Sequence, residues 1–220
     1  MRIFMTKKVA LAVSAHADDA HAALGGTIRR LLDEGEYEIH YVAFSIAEES
    51  VPEGFPKDIV AKECVKALQI LGVDEKFVEI NRFPVRKFPQ NRQDILEKLV
   101  SLRKDLNPGI VFIPSTEDIH QDHEVVSEEG IRAFRRSSTL LGYDFPWNVL
   151  YGERLDRFYE ISQEQLERKI NSLQAYESQI VKENNCLTPN YVRSLAVERG
   201  QRINVPYAEA FETIRDVRFL

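Results

Sequence analysis

The chain has 220 residues, enough to bury a sizeable core within one domain. Its apolar fraction of 44% and charged fraction of 29% are typical of a globular protein, and no apolar run reaches the length of a membrane span. The net charge of −6 argues against a nucleic-acid-binding protein, which usually carries a basic excess.

The two cysteines, Cys64 and Cys186, are far apart and form neither a disulfide framework nor a CxxC motif. No secretion signal is evident at the N-terminus. These features together predict a protein of the reducing cytoplasm. Cys64 falls within a helical pattern, which favours a small core residue.

Strand and helix patterns alternate along the chain, and no linker or internal repeat divides it. Short apolar runs predict strands at residues 8–15, 38–45, 76–80, 110–114, 148–151 and 157–161. Apolar residues at helical spacing predict helices at residues 18–34, 58–71, 93–104, 124–136, 162–182 and 191–199. The remaining long segments, 140–147 and 184–189, are predicted to be irregular. This order predicts an α/β fold, a three-layer αβα Rossmann-like domain with a mostly parallel sheet, in which residues 1–220 form a single domain.

Two local features refine the helices. The pair Gly25-Gly26 is unfavourable inside a helix, and it predicts a close approach of the helix backbone to the sheet or to a site. Ser162 and Gln165 have the spacing of a capping box that opens the helix of residues 162–182.

Two clusters of histidine and aspartate follow the first and fourth strands. In an open parallel sheet, ligands bind at the carboxyl ends of the strands, so we expect the two clusters to meet. Imidazole and carboxylate suit Zn²⁺ or another divalent first-row ion, and adjacent aspartates can act as ligand and as general base. The clusters are His16-Ala17-Asp18-Asp19 and His120-Gln121-Asp122-His123.

Other interpretations stay open at this point. Asp18 and Asp19 could simply cap the helix that they precede, and the ring of His120 could be satisfied by a backbone group. At the level of the whole protein, the clusters could belong to a metal-dependent phosphoesterase, or to a catalytically inactive sugar- or nucleotide-binding protein.

The clusters resemble the paired motifs of the LmbE/PIG-L family of metal-dependent N-deacetylases. His16-Ala17-Asp18-Asp19 with Gly25-Gly26-Thr27-Ile28 is similar to the HPDD…GGTI signature, and His120-Gln121-Asp122-His123 is similar to HPDH. The likeness continues in segments 169–179, 199–202 and 207–211, so it spans nearly the whole chain. The departures are Ala17 and Gln121 in place of the usual prolines, and Ala20, followed by His21, where a glutamate is common.

This resemblance implies a hydrolase that uses Zn²⁺, or another divalent metal such as Fe²⁺, to remove an N-acetyl group from an amino sugar or its conjugate. It implies that Asp18 is the general base and that His120 stabilises the oxyanion or protonates the leaving amine. Asp122 would orient a histidine. The partner is then a small N-acetylated sugar or sugar conjugate, and the question of a homo-oligomer stays open. The implied metal ligands are His16, Asp19 and His123.

A loop rich in arginine and phenylalanine, residues 81–91, follows the third strand. Arg82 and Arg86 are candidates for binding an anionic or sugar substrate, because guanidinium groups form paired hydrogen bonds with such ligands. The alternative is a solvated surface loop or a subunit contact.

Overall fold

The computed structural model describes residues 7–152, 154–182 and 188–218. The strands are β1 (Lys8–His16), β2 (Tyr37–Ser45), β3 (Val78–Ile80), β4 (Ile110–Pro114), β5 (Thr139–Tyr143), β6 (Arg157–Glu160) and β7 (Ala208–Arg215). The helices are α1 (Asp19–Glu34), α2 (Ile59–Leu71), α3 (Arg92–Leu106), α4 (Gln121–Phe134), α5 (Gln163–Leu173), α6 (Glu177–Ile180) and α7 (Pro189–Gln201). Cys64 is buried as predicted, whereas Cys186 and most of the predicted irregular segment 184–189 lie outside the described residues.

The seven strands form a sheet in the order β3-β2-β1-β4-β5-β7-β6. Strands β1 to β5 are mutually parallel, and β7 runs antiparallel to both β5 and β6. From β1 the chain builds the sheet outward through β2 and β3, then returns to place β4 on the other side of β1. The carboxyl ends of β1 and β4 therefore lie at a topological switch point, where open α/β sheets bind ligands.

Strand β1 shows why both faces of the sheet are covered. Its side chains alternate, so Ala10 and Ala12 pack with residues of α1, α2, α5 and α7. Leu11 and Val13 point the other way and pack with residues of α3 and α4. All four side chains are at most 1% exposed. This arrangement confirms the predicted three-layer αβα architecture with a mostly parallel sheet. In the described part of the chain, no helix combines the length and apolar character that crossing a membrane requires.

Strand β5 corrects the prediction that residues 140–147 are irregular. Thr139–Tyr143 pairs in parallel with β4 along its whole length. Gly142 interrupts the apolar run in the sequence, but the sheet needs it, because a Cβ there would lie 3.1 Å from the Cα of Ser115. The glycine that hides the strand in the sequence thus lets the two backbones approach.

The strand predicted at residues 148–151 is wrong. Pro146–Asn148 forms a 3₁₀ turn, and Val149 makes a single antiparallel bridge to Asp118. The apolar side chains that suggested a strand are exposed, Leu150 at 61% and Tyr151 at 91% among them. No neighbouring strand covers them in the described structure, so apolar composition alone was misleading here.

The helix predicted over residues 162–182 is broken in two. It opens with the expected capping box, in which the Ser162 hydroxyl accepts the Gln165 N–H. Tyr176 then leaves helical geometry, with φ −86° and ψ 63°. This turn carries the Tyr176 hydroxyl to 2.7 Å from the carbonyl oxygen of Ala17, which it donates to. The break therefore connects the C-terminal half of the chain to the first motif.

A buried ion pair fixes α1 against β7. Lys169 Nζ donates to Glu209 Oε1 at 2.6 Å and to the Ala23 carbonyl at 3.1 Å. Glu209 also accepts the backbone N–H groups of Gly26 and Thr27. A Cβ on Gly26 would lie 3.1 Å from Glu209 Oε1, which confirms the close approach predicted for this glycine.

We predict that Lys169→Met lowers the free energy of unfolding by about 3 kcal/mol, because the Glu209 carboxylate would stay buried without its counter-charge. Urea unfolding measures this loss. Arg193→Met removes a half-exposed ion pair with Glu167 and serves as the matched control, with an unfolding midpoint close to that of the parent protein. Similar losses in the two variants would contradict the prediction that the buried ion pair stabilises the protein more than the half-exposed pair does.

Candidate metal centre and active site

Three ligand atoms converge at the switch point. His16 Nδ1, His123 Nε2 and Asp19 Oδ2 lie 3.2–3.3 Å from one another. Ligands bound to Zn²⁺ at roughly 2.0–2.1 Å in a tetrahedron are about 3.3–3.4 Å apart. The three atoms therefore have the spacing of one face of such a tetrahedron. All three residues line the same cavity, so the fourth position of the tetrahedron is directed toward the cavity.

Two carboxylates behind the imidazoles fix their orientation. His16 Nε2 lies 3.0 Å from Asp122 Oδ2, and His123 Nδ1 lies 2.7 Å from Asp118 Oδ2. With a metal bound, each of these nitrogens would donate its proton to the carboxylate, so the other ring nitrogen could offer its lone pair to the ion. Histidines that ligate metals are commonly held in this way. The expectation that Asp122 contacts a histidine thus has its partner in His16.

Asp118 was not singled out in the sequence, although it lies in the same loop as the second motif. Its carboxylate makes three hydrogen bonds. One is the contact with His123 described above; in the others, Oδ1 accepts the His120 N–H at 2.8 Å and Oδ2 accepts from Asn148 Nδ2 at 3.3 Å. The only available signal was an acidic residue two positions before His120. The bridge between residues 118 and 149 sets the direction of its side chain, and the sequence gives no sign of that bridge.

Replacing Asp118 by asparagine should weaken metal binding or kcat/KM by roughly 10–100-fold, because His123 loses the carboxylate that orients it. Metal competition with a chromogenic chelator and steady-state kinetics measure the two effects. Asp156→Asn is the matched control, since Asp156 is exposed and accepts only a backbone N–H from Thr213. An Asp118→Asn protein with parental affinity and kinetics would rule out this orienting role.

The electrostatics of the cluster favour a bound cation. Burial lowers the pKa of His16, but the Asp19 carboxylate and the hydrogen bond to Asp122 outweigh it and raise the pKa to about 9. Burial also lowers the pKa of His123, while Asp19 and Asp118 raise it to about 10. The two imidazoles in turn hold the pKa of Asp19 far below its usual range, despite its burial. In the absence of metal, protons supply the positive charge that a divalent ion would supply.

Asp18 stands apart from this set of ligands. It occupies the position before the first residue of α1, but its side chain makes no capping hydrogen bond. Its carboxyl lines the cavity beside Asp19. Burial, with the neighbouring charge of Asp19 as a second cause, raises the pKa of Asp18. Asp19 for its part accepts the His16 N–H at 2.6 Å, so neither aspartate serves mainly as a helix cap.

His120 also lines the cavity. Its Nδ1 accepts the backbone N–H of Asp122 at 3.2 Å, so in the neutral ring the proton resides on Nε2. Burial and the two nearby imidazoles lower the pKa of His120. The ring nitrogens of His16, His120 and His123 fall within 4.8 Å of one another, but we assign the third ligand to Asp19, because its oxygen is closer and carries charge.

The cavity has a volume of about 320 Å³ and mixed walls. Phe145 and Trp147 stack with ring centroids 5.1 Å apart and form an aromatic side, with Trp147 44% exposed. Of the two arginines selected from the sequence, Arg86 lines the cavity, whereas Arg82 does not and instead pairs with Glu48. The sequence did not identify the aromatic wall, nor Lys182 and Gln179, which also line the cavity.

A buried hydrogen-bond network holds the backbone of the first motif. The hydroxyls of Tyr41 and Tyr176 lie 3.0 and 2.7 Å from the Ala17 carbonyl, and both lie within 3.2 Å of His21 Nδ1. His21 Nε2 has no hydrogen-bond partner among the described residues. Ala17 replaces the proline common in the family motif, and these hydrogen bonds restrain the peptide that a proline ring would otherwise stiffen.

Burial lowers the pKa of His21 from 6.5 to about 3. The unfolded chain therefore takes up a proton below pH 6.5 that the folded chain does not, so this contribution to stability is present above pH 6.5 and is lost as the pH falls. For metal-free protein, we predict that His21 contributes a loss of up to about 1.4 kcal/mol per pH unit below 6.5, which opposes the gain that the raised pKa values of His16 and His123 contribute as the pH falls toward 6.5. Urea unfolding at pH 7.5 and pH 5.5 measures it. The His21→Gln variant lacks this loss, so between pH 7.5 and pH 5.5 its stability relative to the parent protein should rise by up to about 1.4 kcal/mol. An unchanged difference between the two proteins would be the contrary result.

Known proteins resemble this chain in sequence and in fold. The profile of the PIG-L family, described as GlcNAc-PI de-N-acetylase, matches residues 11–134. A diacetylchitobiose deacetylase from Thermococcus kodakarensis is 27% identical over 235 aligned residues, which cover 96% of this chain and 85% of the relative.

Two solved structures share the fold. One is an N,N'-diacetylchitobiose deacetylase from Pyrococcus horikoshii in complex with an inhibitor, with a TM-score of 0.76 and 22% identity over 93% of this chain and 83% of that protein. The other is GalB, the 4-carboxy-2-hydroxymuconate hydratase of Pseudomonas putida, with a TM-score of 0.73 and 20% identity over 97% and 99%. The match of the family profile to more than half of the chain, including both histidine–aspartate motifs, shows that the chain belongs to the PIG-L family.

Proposed function

We propose that the protein is a metal-dependent deacetylase that hydrolyses the N-acetyl group of an amino sugar or its conjugate. The observation that carries the proposal is the convergence of His16 Nδ1, Asp19 Oδ2 and His123 Nε2 at 3.2–3.3 Å beside an uncommitted carboxyl, Asp18. The relationship to a diacetylchitobiose deacetylase supports the substrate class.

Two imidazole nitrogens and one carboxylate oxygen suit Zn²⁺, and Fe²⁺ is the alternative for the same ligand set. His16, Asp19 and His123 would hold the ion, with Asp122 and Asp118 orienting the imidazoles. When bound, such an ion acts as a Lewis acid and lowers the pKa of water to about 7.

The remaining chemistry belongs to Asp18 and His120. Asp18, whose pKa is raised by burial and by Asp19, accepts a proton from the water that attacks the acyl carbon. His120 lines the same cavity, and its Nε2–H would donate to the oxygen that becomes negative as the carbonyl is attacked. The C–N bond then breaks, the proton is delivered to the departing nitrogen, and the products are acetate and a free amine.

The direct test is acetate release from N-acetylglucosamine and diacetylchitobiose by zinc-loaded protein. We expect release that a chelator abolishes and that Zn²⁺ or Fe²⁺ restores. Acetate release that survives chelation would contradict the metal dependence. No release from any N-acetylated sugar by the fully metal-loaded protein would overturn the proposed activity.

A second activity needs to be tested because the same fold carries a hydratase in Pseudomonas putida. A hydratase adds water across a carbon–carbon double bond and releases no acetate, so the acetate assay separates the two reactions. We favour deacetylation because the Thermococcus kodakarensis protein, whose alignment covers 96% of this chain, is a diacetylchitobiose deacetylase.

A further inference from the structure

The cavity carries two cationic side chains outside the candidate metal centre. Arg86 and Lys182 both line it. Neither forms an ion pair with any carboxylate of the described residues, and Lys182 Nζ donates to the amide oxygen of Gln179 instead. Arg82, four residues before Arg86 in the same loop, is by contrast neutralised by Glu48. In a chain of net charge −6, two cations at one cavity that pair with no carboxylate of the described residues need an explanation.

A hydrogen bond to Asp122, the carboxylate that orients His16, holds the backbone of Arg86. Its φ of +64° lies in the left-handed region that L side chains rarely adopt. Its N–H donates to Asp122 Oδ2 at 2.7 Å, and the same oxygen accepts from His16 Nε2. The position of the Arg86 backbone beside the cavity is therefore linked to the position of a proposed metal ligand.

Three carboxylates in or next to the candidate metal centre already contact histidines. Asp19 and Asp122 both contact His16, and Asp118 contacts His123. Asp18 is the remaining acidic group of the cavity, and we assign it to proton transfer. A neutral sugar would offer no counter-charge to Arg86, and Lys182 would have only the charge of Asp18, whose pKa it lowers without pairing to it. An anionic substituent would bind both cations through charge-assisted hydrogen bonds.

We propose that Arg86 and Lys182 form an anion-binding subsite, so that the preferred substrate is an N-acetyl amino sugar with a phosphate or carboxylate substituent. This inference rests on the proposed deacetylase function and adds the charge class of its substrate. A cavity of about 320 Å³ lies at the lower end of the usual range for small-molecule sites, which suits a monosaccharide with one such group.

The first experiment compares kcat/KM for acetate release by zinc-loaded protein from four compounds. They are N-acetylglucosamine, its 1-phosphate, its 6-phosphate and N-acetylmuramic acid, so the series distinguishes phosphate from carboxylate and one position from another. We expect at least one anionic compound to exceed the neutral sugar by roughly tenfold or more, with an advantage that shrinks as the salt concentration rises. Equal or lower values for all three anionic compounds would overturn the inference.

Variants then test the two residues through the ratio of anionic to neutral kcat/KM. Arg86→Gln and Lys182→Gln should each lower this ratio by about tenfold, and Arg86→Lys should retain part of it. Lys87→Gln is the matched control, because it removes the same charge from the adjacent residue, which does not line the cavity. Equal losses on anionic and neutral substrates in Arg86→Gln and Lys182→Gln would show that the two residues serve the active site only in general, and would contradict the subsite.

A binding experiment separates failure of this inference from failure of the proposed activity. Calorimetry on zinc-loaded protein compares glucosamine 6-phosphate and glucosamine 1-phosphate with glucosamine and with inorganic phosphate. Tighter binding of a sugar phosphate that Arg86→Gln weakens would support the subsite even if no acetate is released. Equal binding of all the sugars, or a phosphate preference that persists in both glutamine variants because the metal alone binds phosphate, would overturn it.

Discussion

Asp18→Asn is expected to keep its metal and to lose two to four orders of magnitude in turnover. Asparagine has nearly the same shape as aspartate but cannot accept a proton from the attacking water, and loss of a general base costs about 10²–10⁴-fold. The ligand atoms of His16, Asp19 and His123 remain in place, because Asp18 makes none of the hydrogen bonds that orient them. Metal content by mass spectrometry and single-turnover acetate release measure the two quantities.

The control for this variant is Asp58→Asn, which changes the aspartate that precedes α2, outside the cavity. It should retain parental turnover. Two findings would contradict the role of Asp18: an Asp18→Asn protein that has lost its metal, or one that deacetylates at nearly the parental rate.

His123→Ala should lose both the metal and the activity. The substitution removes one of three ligand atoms and leaves the Asp118 carboxylate buried without its imidazole partner. The loss of metal affinity should exceed the roughly 10–100-fold expected when only an orienting carboxylate is changed. Competition with a chelator of known affinity measures it.

His40→Ala is the matched control, since His40 pairs with Glu38 on β2, away from the cavity. It should bind metal as the parent protein does. The pair of site variants then divides the roles clearly: one aspartate can be changed without loss of metal, and one histidine cannot. Equal metal loss in Asp18→Asn and His123→Ala would contradict that division.

The meeting of the two motifs could be predicted because it depends on few physical rules. The runs that became β1 and β4 are apolar without interruption, as expected of strands buried on both faces. The order of the sheet then places the ends of these strands side by side, which brings His16 to His123. Local sequence and topology agree at this point.

Strand β7 could not be predicted, because its buried glutamates disrupt the apolar pattern of a strand. Glu209 accepts the N–H groups of Gly26 and Thr27, more than 180 residues earlier in the chain. Glu212 accepts from the backbone and hydroxyl of Thr116 in the loop that leads to the second motif. Burial of these carboxylates depends on distant partners, and periodicity in one segment carries no information about them.

The same limit applies to the choice between two arginines. Arg82 and Arg86 occupy one loop with similar neighbours in sequence, and both were candidates for binding substrate. The structure gives them different surroundings, since Glu48 pairs with the first and Asp122 fixes the backbone of the second beside the cavity. Only the path of the loop distinguishes them.

The central claim is that one divalent ion is bound by His16, Asp19 and His123 at the switch point of the sheet. A crystal structure of zinc-loaded protein with anomalous data at the zinc edge tests it most directly. We expect a single strong peak at roughly 2.0–2.2 Å from His16 Nδ1, His123 Nε2 and an Asp19 carboxylate oxygen. A peak bound by His120 in place of Asp19, or one outside the cavity, would contradict the account.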